Sequence, residues 1–289
     1  MKNLSGGARR LGVHTSIAGG LHMSLVRARG LGCTTLQIFS HNPRGWALKP
    51  LSDDDAGLFR KTRAEAGIGP VFVHTSYLIN LASQAPDLLR KSEEMVAEEL
   101  RIAERIGAEY VVLHTGSASG DDPAAARRRA VGCLARIAAQ GPFGARLLLE
   151  NTAGERGDIT STISDLAEIV HAVPPGLIGG ICLDTCHAFS AGYDVRTEAG
   201  LDSLAQEIRA TIGPDAVQLL HLNDARHGFR AGRDRHEHIG KGMIGAEGIR
   251  RVVHHPFFHD VPLVLETPKK TDEDDRMNLT LVRSLLAGS

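Results

Sequence analysis

The sequence predicts a closed (β/α)8 TIM-type barrel in a single domain, on three observations. Short apolar runs alternate with longer amphipathic ones along the 289 residues. Eight of each can be placed, the pattern of a parallel sheet closed on itself. An open doubly wound sheet would usually carry a Gly-rich phosphate loop after its first strand, and no such loop follows His14-Thr15-Ser16. The length lies somewhat above the roughly 250 residues usual for such a barrel. Residues 1–10 read as a loose extension, and 11–289 as the barrel.

In chain order the expected strands are Leu11–Ser16, Thr34–Ser40, Val71–Ser76, Tyr110–Thr115, Arg146–Asn151, Gly180–Asp184, Val217–Asn223 and Leu263–Thr267. Most are rich in Val, Ile and Leu, as strands covered on both faces require. The expected helices are Leu21–Arg29, Asp53–Ala66, Pro86–Ile106, Pro123–Ala139, Ser161–Ala172, Leu201–Ile212, Ala246–Val253 and Arg276–Leu286. Pro86–Ile106 is the clearest, with Leu88, Leu89, Met95, Val96, Leu100 and Ile102 recurring near helical spacing. Ser52 before an acidic run, the pair Asp122-Pro123, and Ser161 are start signals.

Composition narrows the class. At 42% hydrophobic and 23% charged residues the chain reads as a soluble globular protein rather than a disordered or fibrous one. The N-terminus MKNLSGGARR is polar and basic with no apolar run behind it, so neither a signal peptide nor a membrane span is expected. Cys33, Cys133, Cys182 and Cys186 form no thiolate zinc pattern and read as reduced thiols of a cytoplasmic protein. A net charge of -1 argues mildly against a nucleic-acid partner. The 14 histidines point instead to metal chemistry.

The placement of polar residues sharpens that hint. Six expected strands carry His, Asp or Glu at or near their C-terminal ends: His74, His114, Glu150, Asp184 with His187, His221 and Glu266. A charged group in a buried strand is costly unless paired or bound to metal. One isolated strand histidine is more often a satisfied core residue, but six strands repeating the placement converge on one face of a barrel, the face that carries active sites. After the seventh strand, Asp234, His236 and His238 would point the same way if that segment is extended. Imidazole and carboxylate ligands without thiolate suit catalytic zinc, and manganese fits them as well.

Several runs carry a resemblance. His74-Thr-Ser-Tyr-Leu-Ile-Asn-Leu, Leu-Glu150-Asn-Thr-Ala-Gly, Leu-Asp184-Thr-Cys-His187-Ala-Phe-Ser-Ala-Gly-Tyr-Asp, His221-Leu-Asn-Asp and Asp234-Arg-His236 resemble the endonuclease IV family of apurinic/apyrimidinic (AP) endonucleases. The likeness runs from about Leu11 to the last helix, and the Asp-Thr-Cys-His-Ala-Phe run is highly specific. It implies a barrel with three zinc ions per chain. The first would take His74, His114 and a bridging Glu150; the second Glu150, Asp184, His221 and Glu266; the third His187, Asp234 and His236. It implies a DNA-repair phosphodiesterase that cuts 5′ to an abasic site in duplex DNA, leaving a 3′-hydroxyl and a 5′-deoxyribose phosphate. Glu150 and Glu266 would be its catalytic carboxylates. Two departures stand out: Thr115 follows His114 where the family usually has Pro, and His238 offers a rival to His236.

The loops after the second and third strands bear on the substrate. Exposed apolar side chains beside Arg can wedge into a base stack, and an abasic nucleotide is cheap to flip because it has no base to unstack. By the resemblance, Arg44, Tyr77 and Leu78 fall at DNA-penetrating positions; the competing reading is that Leu78 and Ile79 cap the barrel core. Lys269 and Lys270 are candidate phosphate contacts. An open DNA groove suits a monomer. Three divalent ions would turn the formal charge of -1 into +5, concentrated at the barrel mouth. The alternatives are a metal-dependent sugar isomerase or epimerase on the same barrel, which has no need of the Asp234-x-His236 element, and a non-catalytic nucleic-acid-binding module with structural metal.

Overall fold

The computed structural model describes residues 9–288. All eight expected barrel strands form: β1 Leu11–Val13, β2 Leu36–Phe39, β3 Val71–His74, β4 Tyr110–Leu113, β5 Arg146–Glu150, β6 Ile178–Asp184, β7 Val217–His221 and β10 Leu263–Leu265. Neighbours are parallel in the order β1-β10-β7-β6-β5-β4-β3-β2. The seam between β1 and β2 is closed by a parallel bridge from His14 to Gln37, with Thr34 N donating to Leu11 O at 2.9 Å and Thr15 N to Gln37 O at 2.9 Å. Gly12 is required there, because a Cβ would stand 1.9 Å from the Thr35 carbonyl oxygen. Most strands end earlier than expected, since the chain past the ladder is spent on loops at the mouth: Leu78 N, for example, bonds Ser76 Oγ.

Period-two alternation explains the barrel interior. Phe72, Val112, Leu148, Cys182, Leu219 and Val264 form a compact inner cluster, all with no exposed surface. The next inward position on the same six strands is His74, His114, Glu150, Asp184, His221 and Glu266. An apolar layer thus lies directly beneath a polar one. A second, larger core fills the space between the outer sheet face and the helices.

The helices are α1 His22–Gly30, α2 Asp53–Ala66, α3 Pro86–Ile106, α4 Pro123–Ala138, α5 Ile163–Ala172, α6 Thr185–Ala191, α7 Glu198–Thr211, α8 Gly245–His254 and α9 Asp272–Ala287. Ser52 and Asp122 cap α2 and α4 as expected. The cap of α5 is Thr162 rather than Ser161, in a capping box with Asp165. Helix α7 starts three residues early on a Thr197 cap. Helix α9 starts at Asp272, because Thr271 and Asp274 form a capping box ahead of the acidic run. Helix α6 was not expected; the Asp184-Thr-Cys-His run leaves the strand straight into a helix, with Asp184 accepting from His187 N at 2.8 Å. A short antiparallel ribbon, β8 Asp224–Ala225 with β9 His236–Glu237, was also unforeseen. Of the expected loose extension, residues 1–8 lie outside the described residues, and Arg9 donates to the carbonyls of Val253, Phe258 and Val261.

Candidate metal centre

Glu150 stands at the middle of the polar layer with no exposed surface. Its Oε1 lies 2.8 Å from His221 Nδ1. Its Oε2 lies 3.0 Å from His114 Nε2 and 3.4 Å from His74 Nε2. His221 Nδ1 is also 3.3 Å from Glu266 Oε2 and 4.0 Å from Asp184 Oδ2. On the far side, Asp234 Oδ1 is 3.1 Å from His187 Nε2 and 3.5 Å from His236 Nε2. His236 Nε2 is 3.5 Å from Asp184 Oδ2, so Asp184 faces both halves of the site.

Among the side-chain groups that could hold a cation, three are made of imidazole and carboxylate alone: His74, His114 and Glu150; Glu150, Asp184, His221 and Glu266; and His187, Asp234 and His236. Within each, the candidate ligand atoms lie within 4.8 Å of one another. Two ligands about 2.1 Å from one tetrahedral ion sit about 3.4 Å apart, so contacts of 3.0 to 3.5 Å suit ions of zinc size. Glu150 Oε2, His187 Nε2 and His236 Nε2 are buried with no hydrogen bond of acceptable geometry. Buried polar atoms are rarely left so. The residues therefore fit a multinuclear cation site.

The tautomers point the same way. His74 Nδ1 lies 2.8 Å from Thr75 O, His187 Nδ1 2.9 Å from Asn151 O, and His236 Nδ1 2.9 Å from Glu266 O. Each can donate Nδ1–H to the main chain and turn a free Nε2 lone pair to the centre. His221 is reversed: Nε2 donates to Gln37 Oε1 at 2.8 Å, which leaves Nδ1 for the centre. The Gln37 amide nitrogen then donates to Glu266 Oε1 at 2.6 Å and contacts His14 Nδ1 at 3.0 Å.

The imidazoles and carboxylates also shift one another's proton affinity. Burial works to raise the Glu150 carboxyl, but the His114 and His221 imidazoles outweigh it and hold it well below the usual range. Burial likewise opposes charge on His187, yet Asp184, Asp234 and Glu150 carry it well above an ordinary imidazole.

Gln37, His14, Asn151 and Asn223 were not foreseen. Asn151 Oδ1 accepts from Asp184 N at 2.7 Å; Asn223 donates to Asp184 Oδ2 at 2.7 Å and accepts from Glu266 N at 2.8 Å. A lone polar residue within the apolar run Leu36-Gln37-Ile38-Phe39 was the available signal for the first. The expectation that Asp234, His236 and His238 face one way is corrected. The chain turns after β9, Lys241 N bonding His238 O at 2.9 Å, and His238 Nδ1 meets Asn278 Nδ2 at 3.1 Å instead. Thr115 is buried and meets Thr160 Oγ1 at 3.4 Å.

A cavity of about 330 Å³ opens over the centre, lined by His14, Phe39, Tyr77, Asp234, Glu266 and Lys269 among others. Tyr77 is 65% exposed, its ring 5.1 Å edge-on from that of Phe39. Arg44 is exposed, Leu78 half-buried, and Ile79 belongs to the core. Lys269 is engaged by Asp272 and Asp275, which leaves it less free for phosphate than the sequence suggested. No helix among the described residues is long and apolar enough to cross a membrane. All four cysteines are buried and unpaired.

Known proteins place the chain. The family described as xylose isomerase-like TIM barrel matches residues 25–283. A probable endonuclease 4 of Methanoculleus marisnigri is 42% identical over 95% of this chain and 98% of its own. The crystal structure of endonuclease IV from Thermus thermophilus superposes with a TM-score of 0.84 at 37% identity, covering 97% of this chain and all of that one. A D-tagatose 3-epimerase-like protein shares the fold at a TM-score of 0.73, but at 20% identity, covering 96% of this chain and 97% of that one, it speaks for the fold alone. At about 40% identity over nearly the full length, the chain belongs to the endonuclease IV family.

Proposed function

We propose that the chain repairs DNA by hydrolysing the phosphodiester 5′ to an abasic site in a duplex, leaving a 3′-hydroxyl and a 5′-deoxyribose phosphate. The coarser statement is secure: by family it is an endonuclease, a hydrolase of DNA. The observation that carries the finer one is the set of three adjoining donor groups, two sharing Glu150 and the third reached from Asp184 through His236, beneath an exposed Tyr77. His74, His114 and Glu150 would hold one zinc ion, Glu150, Asp184, His221 and Glu266 a second, and His187, Asp234 and His236 a third; manganese suits the same donors. Bound there, the ions would supply an acidified water and positive charge at the scissile phosphate.

The chain's own residues do the rest. Glu150, with one oxygen toward each neighbouring group, sets their spacing. Glu266, held from behind by Gln37 and His14, faces the cavity and orients the attacking water. Arg44, Tyr77 and Leu78 enter the duplex and hold the abasic nucleotide outside the stack. A base-free sugar costs least to extrude, which favours this lesion over intact DNA. The partner is duplex DNA, taken up by one chain acting alone.

A duplex with one abasic site, incubated with the protein with and without a strong chelator, tests this. A single 5′ incision that vanishes with the chelator is expected. An uncut duplex beside rapid epimerisation of a ketose would favour the sugar enzymes that share the fold, as would one or two zinc per chain rather than about three.

A further inference from the structure

The loops that present Arg44 and Tyr77 leave different strands, β2 and β3, and must keep a fixed spacing to enter a duplex together. Their junction is visible. Ser76 Oγ donates to Pro43 O at 2.8 Å, and Tyr77 N donates to the same oxygen at 3.2 Å. Beneath it lies Glu99, which α3 sends inward from a buried face that also carries Ser92, Met95, Val96, Leu100 and Ala103. Glu99 has no exposed surface.

One oxygen of this side chain gathers both loops. Glu99 Oε1 accepts from Ser76 N at 3.2 Å, and lies 3.5 Å from Ser40 Oγ and 3.4 Å from His41 Nδ1. Ser40 Oγ and His41 Nδ1 are themselves 2.9 Å apart. His41 opens the turn in which Gly45 N bonds Asn42 O at 3.2 Å and Arg44 N bonds Asn42 Oδ1 at 3.2 Å. Glu99 Oε2 has no hydrogen-bond partner. A buried carboxyl with one idle oxygen is an expensive way to pack a helix, and an apolar side chain would pack it at less cost. What an apolar side chain cannot do is tie Ser76 to Ser40 and His41.

We infer that Glu99 is a positioning residue that holds the Arg44 loop and the Tyr77 loop in register over the metal centre, and so sets the fit to distorted DNA rather than the chemistry. This rests on the reading that those loops enter the duplex. Burial pushes the carboxyl up to about 8, so near neutral pH it is largely the uncharged acid, and glutamine is its close mimic.

The test uses zinc-loaded protein and a duplex with one tetrahydrofuran abasic analogue. Glu99→Met keeps the volume and deletes the acceptor; Glu99→Gln keeps the acceptor. Trp46, the single tryptophan, sits in the same loop and reports on it directly. In Glu99→Met we expect KM to rise about ten- to a hundredfold, as small misplacements do, with kcat and zinc content held. Trp46 emission should shift to the red and quench more readily with acrylamide. Glu99→Gln should restore both. An unchanged KM in Glu99→Met, a joint loss of kcat and zinc, or a glutamine variant as impaired as the methionine one overturns the proposal. If the wild type itself leaves the abasic duplex uncut, the reading of the loops falls, and this inference falls with it.

Discussion

His221 Nε2 lies 2.8 Å from Gln37 Oε1, and this contact decides which imidazole nitrogen faces the metal centre. The same amide then fixes Glu266 at 2.6 Å. Gln37→Leu keeps the volume but frees both ligands to rotate. Zinc affinity at the second donor group should drop about ten- to a hundredfold, the usual cost of losing such an outer partner. Competition with a chelating dye measures it, and an unshifted affinity would show that the amide is only packing.

Glu150 touches two donor groups, so Glu150→Gln removes the shared charge while keeping the shape. Cleavage of an abasic duplex should disappear, and zinc per chain should fall, with circular dichroism little changed. Full activity in this variant would sink the proposed scheme.

His238 faces Asn278, and His236 faces the centre. His236→Ala should lose about one zinc per chain, whereas His238→Ala should keep all of them and incise within about twofold of the parent, as substitutions away from a site generally do. Metal analysis of both variants side by side decides it, and a zinc lost from His238→Ala would reverse the assignment.

Asp224 is a buried carboxylate that accepts from the backbone N–H groups of Gly240, Gly242, Ile244 and Gly245 at 2.9 to 3.2 Å. It organises the segment behind His236. Asp224→Asn turns donors against donors and should cost about 2–4 kcal/mol, more than an ordinary hydrogen bond because buried groups lose their partner. Urea unfolding gives the number, and a loss below about 0.5 kcal/mol would mean the segment holds itself.

Glu99 supplies the pH prediction. Its folded value of about 8 exceeds the ordinary 4.5, chiefly through burial, with Ser76 N–H and Ser40 pulling weakly back. The folded chain therefore binds more protons than the unfolded one between those values. Its contribution to stability is present below 4.5 and is lost as pH rises through 8. His41 is the neighbouring titratable group, and burial lowers it. Glu99→Gln does not titrate, so its stability relative to wild type should climb by a few kcal/mol, to order of magnitude, across that window. A difference that stays flat from acid to alkaline pH contradicts the assignment.

Strand-end histidines and carboxylates were legible because a buried polar residue in an apolar run has few reasons to exist. His74, His114, Glu150, Asp184, His221 and Glu266 each sit one inward step above an apolar core residue, a spacing that the strand period makes readable. His14 and Gln37 are at the mouth on the two remaining strands. Gln37 escaped because it is a neutral residue outside every matched run; His14 ends its strand as the other histidines do, but it too lies outside those runs. Helix α6 escaped because its only start signal, Asp184, had already been assigned to metal; the residue does both. His238 misled because alternation was extended past the two residues that are in fact a strand. Glu99 was hidden inside a strongly amphipathic helix, where its neighbours matched the apolar stripe so well that one acid on it drew no notice.

The tautomer keys of His74, His187, His236 and His221 are unevenly exposed to mutation. His74, His187 and His236 are keyed by main-chain oxygens of Thr75, Asn151 and Glu266, which every amino acid would supply at those positions. Substituting a keying residue there leaves the key in place as long as the backbone holds. Of these four, His221 is the one keyed by a side chain, and a single codon change at Gln37 removes it. Mutational fragility of these four tautomers is thus concentrated at one glutamine on the barrel's seam, beside the His14–Gln37 bridge that closes the sheet.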